Sequence, residues 1–118
     1  MTLKELFQIM CDKEASDLYL RTGATPRARI NGKIETIISE PLSKPDMQGV
    51  TNLLLASETR RKHFLENHDI DFIHEEPQVG RFRINIFMQR GTPAIVARHV
   101  HMRVKDFEQL NLPAELLK

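Results

Sequence analysis

Arginine side chains are concentrated late in the chain, between Pro77 and Lys105. This segment contains six basic residues and no acid; the six are Arg81, Arg83, Arg90, Arg98, Arg103 and Lys105. The whole chain has 17 basic and 16 acidic residues, so the rest of it carries 11 bases against 16 acids, a net charge of −5. A guanidinium group donates two parallel hydrogen bonds to a phosphate or a carboxylate. The segment therefore predicts a surface that binds an anionic partner.

The spacing of these arginines predicts how they are presented. Polar and apolar residues alternate from Arg81 to Ile86, which is typical of a strand with one buried face. Arg81, Arg83 and Asn85 must then share the outer face, and Arg98 can join them from a neighbouring antiparallel strand. Any half-exposed strand alternates in this way, so an ordinary solvated face is the competing interpretation.

The two interpretations predict different partners for Arg83 and Arg98. If these arginines bind an external anion, both side chains project into solvent and pair with no carboxylate of this chain. If the face is only solvated, each arginine pairs with a local acid such as Asp69, Asp71 or Glu75.

The residues that could form a catalytic or metal site do not have the spacing of any known motif. The chain has no glycine-rich phosphate loop ending in Lys-Ser or Lys-Thr, and no nucleophile spaced with a histidine and a carboxylate. His99-x-His101 and the distant Cys11 lack the spacing of a zinc site. Asp69 and Asp71 offer carboxylates for a divalent ion, but pairing with nearby bases is the favoured interpretation. We expect no catalysis by this chain alone and no bound metal.

Nucleic acid is another anionic partner to consider for a basic pair of strands. Surfaces of that kind interleave aromatic side chains with the bases, so that nucleobases can stack on them. Here only Phe82 and Phe87 do so, on opposite faces, and the net charge of the chain is only +1. We therefore expect no nucleic-acid partner.

The elements that hold these arginines follow from helix caps, turns and periodicity. Residues 3–13 and two segments capped by Ser43 and Ser57 predict three helices, the last fading near Asn67. Asn31-Gly32 is expected to form a tight hairpin turn. The predicted strands are Asp17–Leu20, Arg27–Ile30, Lys33–Ile38, Ile70–His74, Arg81–Met88 and Pro93–Val100. The stretch Asp106–Lys118 is expected to be briefly helical, with an interruption at Pro113.

This order of elements predicts an α+β fold in which an antiparallel sheet has helices packed on one face. With 118 residues, 41% of them hydrophobic, one core is expected. Phe64 and Leu65 are predicted to face it from the third helix. The single cysteine, Cys11, fits a reducing, cytoplasmic setting, and the first residues predict neither a signal peptide nor a membrane span.

Two blocks of the sequence occur, in the same order, in a known family. The first block is Ala15-Ser16-Asp17-Leu18-Tyr19-Leu20, followed by Gly23, Pro26, Arg29, Asn31-Gly32 and Pro41-Leu42. The second is Gly80-Arg81-Phe82-Arg83-Ile84-Asn85 with Phe87, Gln89-Arg90 and Arg98, and after it comes Phe107-Glu108-Gln109-Leu110-Asn111-Leu112-Pro113. The chain thereby resembles the type IV pilus retraction ATPases, the twitching-motility proteins of the PilT and PilU kind. Tyr19 stands where the retraction motor usually has histidine, and Gln89-Arg90 together with Phe107-Glu108 looks more like the PilU branch.

The resemblance implies a domain and its place in a larger protein. Residues 1–104 would be a PAS-like N-terminal domain, and residues 105–118 a linker to a RecA-like ATPase domain that lies beyond this chain. The parent protein would be a hexameric ATPase that drives pilus retraction, using ATP and Mg²⁺ bound by its motor domain. It would work in the cytoplasm, peripheral to the inner membrane, with the pilus inner-membrane platform machinery as partner.

The resemblance also implies a role for the arginines. Arg83 and Arg98 would contact the phosphates of nucleotide bound by the motor domain of the same or a neighbouring subunit. Arg81 and Arg90 are the second candidates. Ser16 and Asp17 match the family too, but a turn-forming pair between helix and strand explains them equally well. The alternative function is a free-standing PAS-like sensory or ligand-binding module, which would need an internal apolar pocket.

Overall fold

The computed structural model describes residues 2–100, which form three helices and six strands. The helices are α1 (Leu3–Asp12), α2 (Lys44–Leu54) and α3 (Glu58–Asn67), and the strands are β1 (Asp17–Arg21), β2 (Arg27–Ile30), β3 (Lys33–Thr36), β4 (Asp69–Glu76), β5 (Gly80–Gln89) and β6 (Thr92–Val100). The predicted linker and the terminal helical stretch lie outside the described residues.

Two of the helices begin with reciprocal caps. The Thr2 hydroxyl accepts from the Glu5 backbone N–H, and the Glu5 carboxylate accepts from the Thr2 backbone N–H. Ser43 and Asp46 form the same arrangement at the start of α2. Each cap satisfies backbone donors that the first turn of a helix leaves without partners. The predicted starts of both helices are confirmed.

The six strands form one antiparallel sheet in the order β3-β2-β1-β6-β5-β4. Asn31 and Gly32 have φ of 52° and 80°, the positive values that the predicted tight turn between β2 and β3 requires. The strand β4 runs to Glu76, two residues beyond its predicted end, because its pairing with β5 continues to Gly80. The strand β3 ends at Thr36, two residues before its predicted end.

All three helices lie on one face of this sheet. The Phe7 ring of α1 stacks on the Phe82 ring of β5 with centroids 4.0 Å apart, and the Arg60 guanidinium of α3 lies 4.0 Å from the centroid of the Phe72 ring of β4. Met47 from α2 is buried in the same core. The α+β fold with helices on one face of an antiparallel sheet is therefore confirmed, whereas the PAS-like description stays a prediction.

The prediction that Leu65 of α3 faces the core is wrong. Phe64 is buried, but Leu65 is 74% exposed. Successive residues of a helix point about 100° apart, so the contact that buries Phe64 leaves Leu65 facing solvent. Among the helices of residues 2–100, none has the length and apolar character needed to cross a bilayer.

Candidate anion-binding face of the sheet

The sheet face opposite the helices, called here the uncovered face, carries the predicted arginines. Phe82, Ile84 and Ile86 of β5 are fully buried under the helices, so the residues between them point to the uncovered face. Arg83 of β5 is paired in register with Arg98 of β6. The prediction that Arg81, Arg83 and Asn85 share one face, with Arg98 joining them, is confirmed by this register.

Arg83 is not unpaired, contrary to the prediction for an anion-binding arginine. Its Nε donates to Asp71 Oδ1 at 3.2 Å and its Nη2 donates to Asp71 Oδ2 at 2.9 Å. The hydrogen bonds to Arg83 and its positive charge hold the pKa of the Asp71 carboxyl below its usual value, and Asp71 in turn raises the pKa of Arg83. Both side chains remain open to water, with 61% of Arg83 and 46% of Asp71 exposed.

Arg98 is paired as well, with an acid that the sequence had not marked as its partner. Its Nε donates to Asp17 Oδ1 at 3.0 Å. Asp17 is the first residue of β1 and lies in register between Arg98 on one side and Arg29 on the other. The predicted start of this strand at Asp17 is confirmed, and Ser16 lies immediately before it, at the junction with α1.

The Asp17 carboxylate is the most buried charge on this face, at 8% exposure. It accepts a hydrogen bond from the Ser16 hydroxyl at 2.9 Å, and Arg29 Nε lies 3.5 Å from its second oxygen. Arg98 itself stays 68% exposed. No sequence pattern reveals this contact, because residues 17 and 98 meet only through the pairing of β1 with β6.

The second-choice arginines are placed differently from each other. Arg81 lies on the uncovered face, and its Nε is 3.8 Å from Glu75 Oε1, with both side chains largely exposed. Arg90 lies in the turn between β5 and β6, where its φ is 54°. Arg90 follows Arg83 by seven positions along the chain, or roughly 24 Å at about 3.4 Å per residue. The structure therefore does not bring Arg90 to the other arginines.

The acids of β4 do not assemble a metal site. Asp69 Oδ1 accepts from the Asn85 amide at 2.9 Å, and Asp71 is bound to Arg83. Within residues 2–100, no group of three or more histidine, cysteine, aspartate or glutamate side chains is close enough to hold a metal ion. The interpretation of these acids as partners of nearby bases is confirmed for Asp71, whereas Asp69 binds the Asn85 amide instead.

Cys11 and His99 lie at the helix-covered side, near one end of the sheet. Cys11 Sγ is 3.8 Å from His99 Nε2, and the His99 ring stacks on Phe82 with centroids 5.0 Å apart. Burial raises the pKa of the Cys11 thiol, and the negative charge of Asp12 raises it further. The thiol is therefore poorly suited to act as a nucleophile.

The charged side chains of the uncovered face lie next to one another across the strands. Along one row of register from β2 to β5, the charged residues are Arg29, Asp17, Arg98 and Arg83. Neighbouring strands are about 4.8 Å apart, so Arg83 and Arg98 present two adjacent exposed guanidinium groups. Each guanidinium already has a carboxylate partner, Asp71 for Arg83 and Asp17 for Arg98, which is the arrangement predicted for a solvated face. An external anion would therefore have to displace a carboxylate or bind the remaining N–H groups.

An apolar groove of about 290 Å³ lies elsewhere, between α2, α3 and the turn joining β5 to β6. Met47, Phe64 and Leu65 contribute to its walls. The groove is open to solvent on one side. It does not supply the internal pocket that a free-standing ligand-binding module would need.

Comparison with known proteins gives matches that extend over the whole chain. It is 34% identical over 118 residues to the type IV pilus ATPase PilU of Pseudomonas aeruginosa, and 31% identical over 112 residues to the pilus retraction ATPase PilT of the same organism. A twitching motility protein of Neisseria gonorrhoeae is 30% identical over 90 residues. No protein-family model matches the chain.

The solved structures show the same similarity in three dimensions. A crystal structure of the pilus retraction motor PilT with bound ADP superimposes with a TM-score of 0.79 and 34% identity, covering 98% of this chain and 34% of that one. The ATPase DotB of Legionella pneumophila shares the fold, with a TM-score of 0.72 at 22% identity. The chain spans only about a third of the length of these relatives, 30% of PilU and 32% of PilT.

Proposed function

Because this chain matches the N-terminal domain of the PilT/PilU-family ATPases over its whole length, we propose that it is the regulatory and oligomerisation domain of a hexameric type IV pilus retraction ATPase. In this proposal it supplies arginines to nucleotide bound by the motor domain of its own or a neighbouring subunit. The motor domain holds ATP and Mg²⁺. The assembled protein works in the cytoplasm against the inner-membrane platform of the pilus.

The observation that supports this proposal is that two exposed arginines lie side by side on a sheet face that none of the three described helices covers. Arg83 and Arg98 are in register on adjacent strands, and more than half of each side chain is exposed. Charge on a transferring phosphoryl group is spread over its oxygens, and a guanidinium placed beside it stabilises the transition state. An arginine on a separate domain acts only when that domain closes over the nucleotide, so hydrolysis then depends on domain position.

The test uses the full-length protein and three arginine substitutions. We expect Arg83→Ala and Arg98→Ala each to lower ATP turnover at least ~10²-fold, since arginine residues of this kind contribute about 10³- to 10⁵-fold in well-understood phosphoryl-transfer enzymes. Arg27→Ala is the matched control, because Arg27 is an exposed arginine on β2 of the same sheet. Its turnover should stay within about twofold of wild type.

Thermal unfolding of each variant separates loss of function from loss of structure. Arg83→Ala should leave the thermal midpoint nearly unchanged, because its ion pair is exposed on both sides. Wild-type turnover in both Arg83→Ala and Arg98→Ala would contradict the proposed function. An equal loss in Arg27→Ala would show that the effect comes from general charge and not from these two positions.

A further inference from the structure

We propose that Asp71 competes with nucleotide for Arg83, so that its carboxylate occupies the guanidinium until phosphate oxygens replace it. The inference rests on the proposed function, since it assumes that Arg83 meets nucleotide phosphate. It adds a regulatory residue to that site, on a different strand from the arginine.

Asp71 binds Arg83 with the geometry that a phosphate group would use. Asp71 presents both carboxylate oxygens to Nε and Nη2 of Arg83, at 3.2 and 2.9 Å. A phosphate binds an arginine through the same two parallel hydrogen bonds. The carboxylate and a phosphate therefore cannot both take this edge of the guanidinium, and one must leave before the other binds.

Because Asp71 and Arg83 are both exposed, separating them costs little free energy. Both partners stand in solvent, and their hydrogen bonds cross from β4 to β5 without any backbone group. Exposed ion pairs contribute little to stability because water solvates the separated charges well. Arg83 can therefore change partner by rotating its side chain while the sheet stays as it is.

Arg98 does not share this freedom. Its partner Asp17 is only 8% exposed and is also bound by Ser16 and flanked by Arg29. Removing Arg98 from it would leave a buried carboxylate short of one donor, which costs more than separating an exposed pair. Arg98 therefore stays bound to Asp17, whereas Arg83 can exchange Asp71 for another anion.

The neighbouring acids of β4 do not hold Arg83. Asp69 accepts from the Asn85 amide, and Glu75 is 3.8 Å from Arg81. Asp69 is therefore a matched control for Asp71, since it has the same charge and lies on the same strand and face, two residues away. A substitution at either position removes one negative charge, but only the substitution at Asp71 releases Arg83.

The experiment measures ATP hydrolysis by the full-length protein with Asp71→Asn, Asp69→Asn and Asp71→Glu. Asp71→Asn should raise kcat/KM for ATP by roughly two- to fivefold, the population shift that loss of an exposed ion pair allows. Asp69→Asn should leave it unchanged within error. Asp71→Glu keeps a carboxylate within reach of Arg83, so its kcat/KM should lie closer to the wild-type value than that of Asp71→Asn.

A double substitution tests whether the effect passes through Arg83. In an Arg83→Ala background, Asp71→Asn should give no gain, because no guanidinium is left to release. A gain that persists there, or that Asp69→Asn reproduces, would overturn the exchange and assign the effect to general electrostatic repulsion of nucleotide. Equal kcat/KM in Asp71→Asn and wild type would also overturn it.

The outcomes separate this inference from the proposed function. If Arg83→Ala abolishes turnover and Asp71→Asn behaves as wild type, the arginine serves nucleotide but Asp71 does not compete for it. If Arg83→Ala retains wild-type turnover, the proposed role of Arg83 fails and the exchange fails with it. Thermal midpoints of all variants show whether each is folded.

Discussion

At the scale of single residues, the burial of an acid decides what its arginine partner can do. Asp17 and Asp71 each bind one arginine of the uncovered face, but only Asp17 is withdrawn from water. A buried carboxylate needs all of its donors, whereas an exposed one can exchange them for water. The same chemical pair therefore has a structural role in one place and a replaceable one in the other.

Replacement of Asp17 should destabilise the domain measurably. Asp17→Ala removes the acceptor for Arg98 and Ser16 and leaves Arg29 and Arg98 facing each other, so we expect a loss of about 1–3 kcal/mol in the free energy of unfolding. Urea denaturation of the variant provides the measurement. Asp69→Ala, which replaces an exposed acid of the uncovered face, should lower the free energy of unfolding by less than about 0.5 kcal/mol. Equal costs at the two positions would contradict the distinction drawn from burial.

The Cys11 thiol should react slowly. Burial and the charge of Asp12 raise its pKa, so at pH 8 less thiolate is present than in the unfolded chain, and the thiol is also less accessible. We expect iodoacetamide to modify native protein several-fold more slowly than urea-unfolded protein, with a modest acceleration in Asp12→Asn. A native rate above the unfolded rate would mean that His99 stabilises the thiolate instead.

At the scale of elements, short-range hydrogen bonds made by the cap residues stabilise the helix starts. Ser43→Ala removes the acceptor for the Asp46 N–H, and loss of such a cap costs about 1 kcal/mol. Ser39→Ala, at an exposed serine before the helix, should have no comparable effect. Equilibrium unfolding at pH 7 measures both variants.

The stability that Asp46 gives to this cap should fall as the pH is lowered. Hydrogen bonds from Ser43 hold the pKa of Asp46 below its ordinary value of 3.8. Its stabilising contribution is therefore complete above that value and disappears as the pH falls through the lower pKa of the folded state. Asp46→Asn should be less stable than wild type at pH 7, and the difference should shrink towards pH 2. A difference that stayed constant with pH would show that the carboxylate charge does not contribute.

Local patterns explain why most elements could be predicted. Caps at Ser43 and Ser57, the Asn31-Gly32 turn and the alternation along β5 all act within a few residues of the chain, and the structure has each of them. The orientation of Leu65 could not be read in this way. The helix α3 has only two apolar side chains in a row, Phe64 and Leu65, so periodicity did not define which side it buries.

At the scale of the whole molecule, the sheet and its helices share one core, to which β5 contributes Phe82, Ile84 and Ile86. The Phe82 ring is fully buried between the Phe7 ring of α1 and the His99 ring of β6. Phe82→Ala should therefore cost about 3–5 kcal/mol, the range for removing a buried aromatic ring. Ile73→Ala, on the neighbouring strand but 52% exposed, should cost under about 1 kcal/mol. Comparable losses in chemical denaturation would contradict a core centred on Phe82.

The sequence by itself determined the caps, the hairpin turn, the alternation that places Arg81 and Arg83 on one face, and the family resemblance carried by those residues. These features depend on neighbours along the chain, where the physical rules are short-ranged. Only the tertiary structure decided that Asp71 binds Arg83 and that Asp17 lies between Arg29 and Arg98. Those partners are brought together by strand register, and register depends on the packing of the whole sheet against its helices.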